Sequence, residues 1–478
     1  MKKAFLIVDI GTGNSRAGVI GTDGEILSVV TQDSVYYRDT DFPDSICFNP
    51  KDWIRVILDL CKKAVEQAGE VDIAAVSSSS QRQGIVLIDK DGGSLVGYQN
   101  GDNRGAEFME ELDWDRIYQL TGLTPFPFYS GLKVLGTMRR QPEVIAQTKA
   151  YTSISDWIGY LFTGELVWER SQVGHSLTYD IWQDGWSQEL CDMLGINTSM
   201  LPPIAVAGSI QGRVLPQIAE DIGISKDAVF VVGAADTQIA LVGVQAQPGE
   251  ITVVSGTTTP VGMVLGKPRF APCWVSPHAV SGQYMLESNC GHTGINYQRF
   301  KNLFMPDDDY GALEHEALER GLPPVLAMFG MGPHLMEEPV YHSGFLLKGA
   351  FDMDLKKADF AHALLLDIGF QITTNVDNIS RVEPTDVDYI IGCAGGFRSV
   401  IVQQTVADLT GKKVLLPRGY DQGTMYGCMH LCNAALDMPK VRREIVKTTE
   451  PTDDPERRAF FERWKAYRVS LRSINDIY

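Results

Sequence analysis

Apolar runs that end in glycine-rich turns set the organisation of the chain. Residues 3–8 form one such run, Gly11-Thr12-Gly13-Asn14-Ser15-Arg16 makes the turn, and Ala17-Gly18-Val19-Ile20 predicts a second strand. Residues 251–264 echo the pattern, with an apolar run, the turn Ser255-Gly256-Thr257-Thr258 and a further run. Phe230-Val231-Val232-Gly233-Ala234-Ala235 predicts a buried strand that narrows to small residues before Asp236. Helical periodicity marks residues 52–68, 154–162, 360–373, 398–410 and 424–436. Apolar runs at 71–77, 84–88, 389–393 and 414–417 predict strands. Ser153 or Ser155 stands as cap of the 154–162 helix and Gly164 as its stop. Such alternation predicts an α/β fold. The break Ala246-Gln247-Pro248-Gly249 divides it into domains 1–246 and 247–478. Residues 124–131, rich in Pro and aromatics, predict a loop that either lines a site or packs on the surface.

The turns carry the chemistry. Glycines let backbone N–H groups approach a ligand, and concavities of such groups bind phosphate. Asp9, just ahead of the first turn, is placed to hold a divalent ion. Two Gly-Thr hairpins, one per half, predict a duplicated architecture whose turns face each other across a cleft and share one nucleotide. Asp236 falls at the C-terminal end of a strand, where ligands of α/β sheets bind. Three more segments suit a small polar molecule: Ser80-Gln81-Arg82-Gln83-Gly84, Gly101-Asp102-Asn103-Arg104 and Ala394-Gly395-Gly396-Phe397-Arg398-Ser399. Each alone also reads as an ordinary polar turn. The chain has no GxxxxGK[ST], GxGxxG or GxSxG motif, and His315-Glu316 lacks the second histidine of a zinc-protease helix.

Composition narrows the classes. The 478 residues are enough for two ordinary domains, with 44% apolar and 21% charged side chains as in globular proteins. A formal charge of −18 argues against sequence-independent nucleic-acid binding and against an anionic membrane surface. The apolar run after Lys2-Lys3 is broken by Asp9, and no stretch reaches the length of a membrane span, which predicts a cytoplasmic protein. Eight cysteines without a CxxC pair predict reduced, buried thiols. Asp307-Asp308-Asp309 predicts a solvated loop.

Taken together and in order, these segments resemble the FGGY carbohydrate kinases of the actin/Hsp70/hexokinase superfamily. Residues 9–16 resemble the first phosphate motif, 255–258 the second, Gly233-Ala234-Ala235-Asp236 the motif of the catalytic base, and 394–411 the adenosine motif. Ile154-Ser155-Asp156-Trp157, Thr163-Gly164-Glu165 and Gly349-Ala350-Phe351 are further family-like stretches. The resemblance implies two RNase H-like domains closing around a sugar and ATP with Mg²⁺. It assigns Asp236 as base and Asp9 to the metal. Thr12, Gly13, Asn14, Arg16, Gly256, Thr257, Gly395, Gly396 and Ser399 fall to the nucleotide, and Arg82, Gln83, Asp102, Arg104, Phe128 and Asp236 to the sugar. Arg82-Gln83 departs from the Met-His of xylulokinases and from the Arg-Glu of glycerol and autoinducer-2 kinases. Phe128 stands where glycerol kinases have a substrate-binding Tyr, and Val402 where a Trp is common. The implied reaction is ATP-dependent phosphorylation of a primary hydroxyl on a five-carbon ketose or autoinducer-2-like compound. A glycerol or polyol kinase and a non-catalytic ATP- and sugar-binding sensor remain as alternatives, and a homodimer is compatible with each. A chaperone-type ATPase lacks any peptide-binding extension after the second domain.

Overall fold

The computed structural model describes residues 1–329, 342–349 and 353–472. Two sheets of one plan carry the fold. In the first, β1 (Lys2–Ile10), β2 (Asn14–Gly21) and β3 (Ile26–Asp33) are consecutive antiparallel neighbours. β4 (Val71–Ser80) and β5 (Val229–Ala235) follow in parallel on the other side of β1, giving the order β3-β2-β1-β4-β5. In the second, β6 (Ile251–Val254), β7 (Thr258–Leu265) and β8 (Tyr284–His292) are antiparallel, and β9 (Tyr389–Cys393) and β10 (Lys413–Pro417) are parallel to β6. The order is β8-β7-β6-β9-β10, the same path repeated. Short antiparallel strands border these cores: Ile210–Arg213 beside β5, Trp274–Pro277 beside β8 and Ile445–Thr449 beside β10.

The continuous apolar run of β1 follows from its position, because a central strand is covered on both faces. Ala4, Leu6 and Val8 join the cluster of Trp53, Ile57 and Leu60 from helix Pro50–Ala68. Phe5 and Ile7 join Met425, Cys428 and Met429 from helix Gly423–Ala435. Helix Pro50–Ala68 starts where Asn49 accepts the Lys51 N–H and Pro50 fills the first turn. Ser153 caps helix Ile154–Thr163, and Gly164, at φ 81°, ends it.

Several elements run past the expected bounds. Helix Lys357–Val382 extends well beyond 360–373, because it is buried nearly all round and loses its amphipathic signature. The 124–131 segment is a loop only as far as Tyr129, since helix Ser130–Arg140 begins inside it. The periodicity gave no sign of the C-terminal helix Pro455–Arg472, which seats Phe461 and Trp464 against Phe370. A separate sheet ordered Tyr37–Asp39, Phe42–Phe48, Ser94–Tyr98, Ile85–Asp89, Thr148–Ser153 was anticipated only in the 84–88 strand. Asp309 is not merely solvated but caps helix Tyr310–Arg320. All eight cysteines are free and buried. Among the described residues no helix is long and apolar enough to cross a membrane. Of the stretch Gly349-Ala350-Phe351, the last two residues lie outside the described residues.

Helices Asp236–Gly243 and Gly423–Ala435 meet backbone to backbone. A Cβ on Gly243 would lie 2.0 Å from the Gly423 carbonyl oxygen, and one on Gly427 would lie 2.0 Å from that of Ile239. Neither oxygen can yield without shifting a helix. Gly427→Ala is therefore expected to cost at least about 2 kcal/mol, in the range of core overpacking, despite the better helix propensity of alanine. Urea unfolding of the two proteins measures it, and an unchanged midpoint would contradict the close crossing.

Candidate active site

Strand register assembles the site. Ile10 pairs with Ser80, and Ser80 with Ala235, so three neighbouring parallel strands end level. The segments carrying Asp9, Arg82 and Asp236 therefore emerge from one edge of the first sheet. In the second sheet Val254 pairs with Cys393, so the turns at Ser255 and Ala394 emerge together. The Gly396 N–H donates to the Ser255 carbonyl at 2.8 Å, and a Cβ on Gly396 would sit 2.1 Å from Ser255 Oγ. Gln83 (φ 61°) and Ala394 (φ 69°) hold left-handed backbone without being glycine, and both lie in these strand-end turns. Such strain concentrates at functional sites.

Asp236 opens helix Asp236–Gly243 and is half-buried. Its Oδ1 accepts the Thr237 N–H at 2.7 Å and the Thr237 hydroxyl at 3.3 Å. Burial pushes its pKa up to about 6, with Arg82 opposing and Asp9 adding to the rise. A carboxylate so placed is ionised at neutral pH yet basic enough to take a proton.

Asp9 is buried and turned toward partners on both halves. Its Oδ2 accepts Arg16 Nε at 2.8 Å, Arg16 Nη2 at 2.5 Å and the Thr424 hydroxyl at 2.9 Å. Arg16, expected among the phosphates, is thus committed to Asp9, and its Nη1 reaches Gln422 Oε1 at 3.4 Å. Asp9 Oδ1 takes part in none of these bonds. A lone hard oxygen of this kind suits Mg²⁺, whose other ligands are usually phosphate oxygens and water. The described residues contain no cluster of three or more His, Cys, Asp or Glu side chains placed to hold a metal ion.

The nucleotide residues are placed unevenly. Gly13 and Asn14 are exposed at the tip of the first turn, while Thr12 is held from behind by Asn100 Nδ2 at 3.2 Å. Gly256 is half-buried, Thr257 exposed, and Gly395 exposed with open space around its Cα. Ser399 is tied up locally: it caps helix Val400–Thr410 through the Val402 N–H and donates to Glu314 Oε1 at 2.5 Å.

Arg82 binds across the halves. Its Nη1 and Nη2 donate to Glu287 Oε2 and Oε1 on β8, at 2.5 and 2.8 Å. His175 Nε2 lies 3.4 Å from Arg82 Nη1, and its Nδ1 lies 3.1 Å from the Gln83 amide. Burial first, then Arg82, keeps this imidazole well below its usual pKa and neutral. Phe128 packs edge-on against Phe126 at 4.9 Å, and it is the neighbouring Tyr129 that feels both Arg82 and Glu287. Asp102 and Arg104, expected at the sugar, are engaged with each other. Both are buried, and Asp102 spends its oxygens on Arg104 Nε (2.9 Å), Arg104 Nη2 (3.1 Å) and the Ile46 N–H (2.8 Å). The Arg104 guanidinium stacks on the Tyr98 ring, 3.6 Å from its centroid.

A second acidic pair lies behind Asp236: Asp156, noted in the sequence only as part of a family-like stretch, and Glu169, which no sequence motif singled out. Glu169 Oε2 accepts Ser171 Oγ at 2.5 Å, and that hydroxyl accepts the Ala235 N–H at 3.1 Å, one residue before Asp236. Asp156 accepts Ser153 Oγ and the Glu169 N–H. Burial pushes Asp156 up to about 7 and Glu169 up to about 8. Their only signal was acids within long buried runs. Folded pKa values above the ordinary value of about 4 mean that the native state binds more protons, so stability falls as pH rises toward 8. Between pH 6 and 9 the melting temperature of the wild type should fall further than that of Glu169→Gln, in which one such proton is fixed. Parallel curves in differential scanning fluorimetry would contradict the raised Glu169 pKa.

The FGGY family of carbohydrate kinases matches by its N-terminal domain over residues 4–243 and by its C-terminal domain over residues 344–436. YoaC of Bacillus subtilis (strain 168), named a sugar kinase, is 36% identical across 97% of this chain and 96% of its own. An autoinducer-2 kinase of Enterobacter sp. (strain 638) is 25% identical across 99% and 95%. The ligand-bound xylulose kinase from Lactobacillus acidophilus has TM-score 0.83 at 19% identity, over 98% of each chain. Plasmodium falciparum glycerol kinase with ADP has TM-score 0.83 at 16% identity, again over 98% of each. The last two likenesses show a shared fold over almost the whole chain.

Proposed function

Since the chain belongs to the FGGY family of carbohydrate kinases, and so is a phosphotransferase acting on a sugar, we propose that it uses ATP to phosphorylate a primary hydroxyl of a five-carbon ketose or autoinducer-2-like compound. The observation that carries the reading is Asp236, a half-buried carboxylate raised to about 6 beside Arg82 and Asp9. In this reading its free Oδ2 accepts the proton of the attacking hydroxyl as the phosphoryl group moves in line. Residues 1–246 bind the sugar and supply the base, and residues 247–478 bind the nucleotide. Thr12, Gly13 and Asn14 meet the phosphates from one side, Gly256 and Thr257 from the other, and Gly395 and Gly396 lie against the adenosine. Asp9 Oδ1 would hold Mg²⁺, which when bound spreads the charge of the transferring phosphate. Arg82 and Gln83 contact the sugar.

A purely sugar-sensing relative has no use for a tuned base at this position. Asp236→Asn should lower turnover by roughly 10²–10⁴-fold while ATP still binds. In the wild type, turnover should drop about tenfold per pH unit below about 6, where the carboxylate takes up its proton. ADP release measured from pH 5 to 8 checks both; an active Asp236→Asn would remove the base assignment.

Substrate choice has its own test. Phe128 lacks a hydroxyl and Gln83 lacks a charge, so glycerol should have a lower kcat/KM than at least one ketopentose or the autoinducer-2 precursor. If glycerol equals or exceeds every five-carbon compound, the sugar preference is wrong and the kinase reading stands.

A further inference from the structure

We propose that the site selects uncharged polyhydroxy or keto compounds against sugar acids, and that Glu287 sets this choice by holding Arg82 in a closed ion pair. The inference rests on Arg82 facing the sugar, as read above. Arg82 is the base that acts on Asp236, which makes it the natural counter-ion for a substrate carboxylate. Both forks of its guanidinium are already closed on Glu287, with side-chain exposures of only 9% and 1%. Bidentate pairing of this kind fixes geometry as well as charge. Asn289 Nδ2 donates to Glu287 Oε1 at 2.9 Å and holds the carboxylate in place.

The neighbouring basic groups are also committed. His175 is neutral, so it brings no second positive charge. Arg16 is paired with Asp9. Lys133, whose pKa burial lowers to about 7, is directed at the Asn100 and Phe128 carbonyls. Asp236 then leaves the sugar end with excess negative charge. A hydroxyl or carbonyl oxygen can still use Arg82 Nε, which enters none of these bonds. A carboxylate would meet the ionised Asp236 with the Arg82 counter-charge already taken, and such unpaired charge rejects a ligand. Glu287 is a positioning and selectivity residue here; it acts through Arg82.

The test compares kcat/KM, from ADP release by the full chain, for the best neutral sugar or polyol and for the aldonate of equal carbon number. The wild type should prefer the neutral compound by at least about 100-fold, and Glu287→Gln should narrow that ratio at least about tenfold by lowering KM for the aldonate. The double variant Arg82→Gln/Glu287→Gln, lacking both charges, should show no such gain. A simple loss of packing would slow both substrates alike and leave the ratio unmoved. Wild-type activity on the aldonate within about tenfold of the neutral compound would overturn the proposal. So would an unchanged ratio in a Glu287→Gln protein that still melts cooperatively. If Glu287→Gln does not fold, the wild-type ratio decides. If no compound at all releases ADP, the kinase reading fails, and calorimetric binding of the same two compounds without nucleotide then decides this proposal.

Discussion

Helices Asp236–Gly243 and Gly423–Ala435 cross with no side chain between their backbones, and the geometry of the cleft floor hangs on that crossing. Gly243, Gly423 and Gly427 make it possible, since a methyl group on the first or last would overlap a carbonyl oxygen by more than an ångström. The first helix begins with Asp236. The second begins beside Thr424, whose hydroxyl reaches Asp9. Fixing the distance between the two helices therefore fixes the base relative to Asp9. Glycines weaken helices intrinsically. Here that cost is offset by seating Met425, Cys428 and Met429 on the face of β1 made by Phe5 and Ile7.

Charge in the cleft follows from the same packing. Burial raises the pKa of Asp236 first, and the nearby Asp9 carboxyl adds to that rise. Arg82 opposes the rise, and both arginines are engaged with a carboxylate: Asp9 for Arg16, Glu287 for Arg82. The Arg82–Glu287 pair joins elements far apart in sequence, whereas Arg16 and Asp9 face each other across the neighbouring strands β1 and β2. Arg16 reaches Gln422 and Thr424, and Arg82 reaches β8. These contacts thus tie the two halves together beside Asp236, whose pKa is pushed up to about 6.

The sequence made the strand–turn–strand hairpins, the Asp236 strand end and the Gly395-Gly396 turn legible, because apolar runs ending in glycine report the backbone directly. It did not make Glu287, His175 or Thr424 legible. Their roles depend on strand pairing and helix crossing between segments more than ninety residues apart, and no local pattern encodes that. Asp102 and Arg104 show the opposite case. An acid and a base two residues apart look like a ligand-binding turn, and at that spacing they also hydrogen-bond each other. Helix Lys357–Val382 was underestimated because burial on all sides erases the periodicity that reveals a surface helix.

In the proposed reading, the duplicated sheets explain why the nucleotide and sugar ends differ in kind. Each sheet delivers a turn at level strand ends, and a turn offers mainly backbone N–H groups, which suit phosphate whatever the side chains are. The sugar end is made instead from side chains, and the decisive ones come from both halves. Arg82 stands at the end of β4, Glu287 within β8, His175 follows a short helix, and Asp236 opens another. A substitution in β8 can therefore change what the first half recognises without altering a single residue of the phosphate turns. Separation of this kind allows one reaction geometry to serve different sugars, because the atoms that position the phosphoryl group are not the atoms that choose the acceptor.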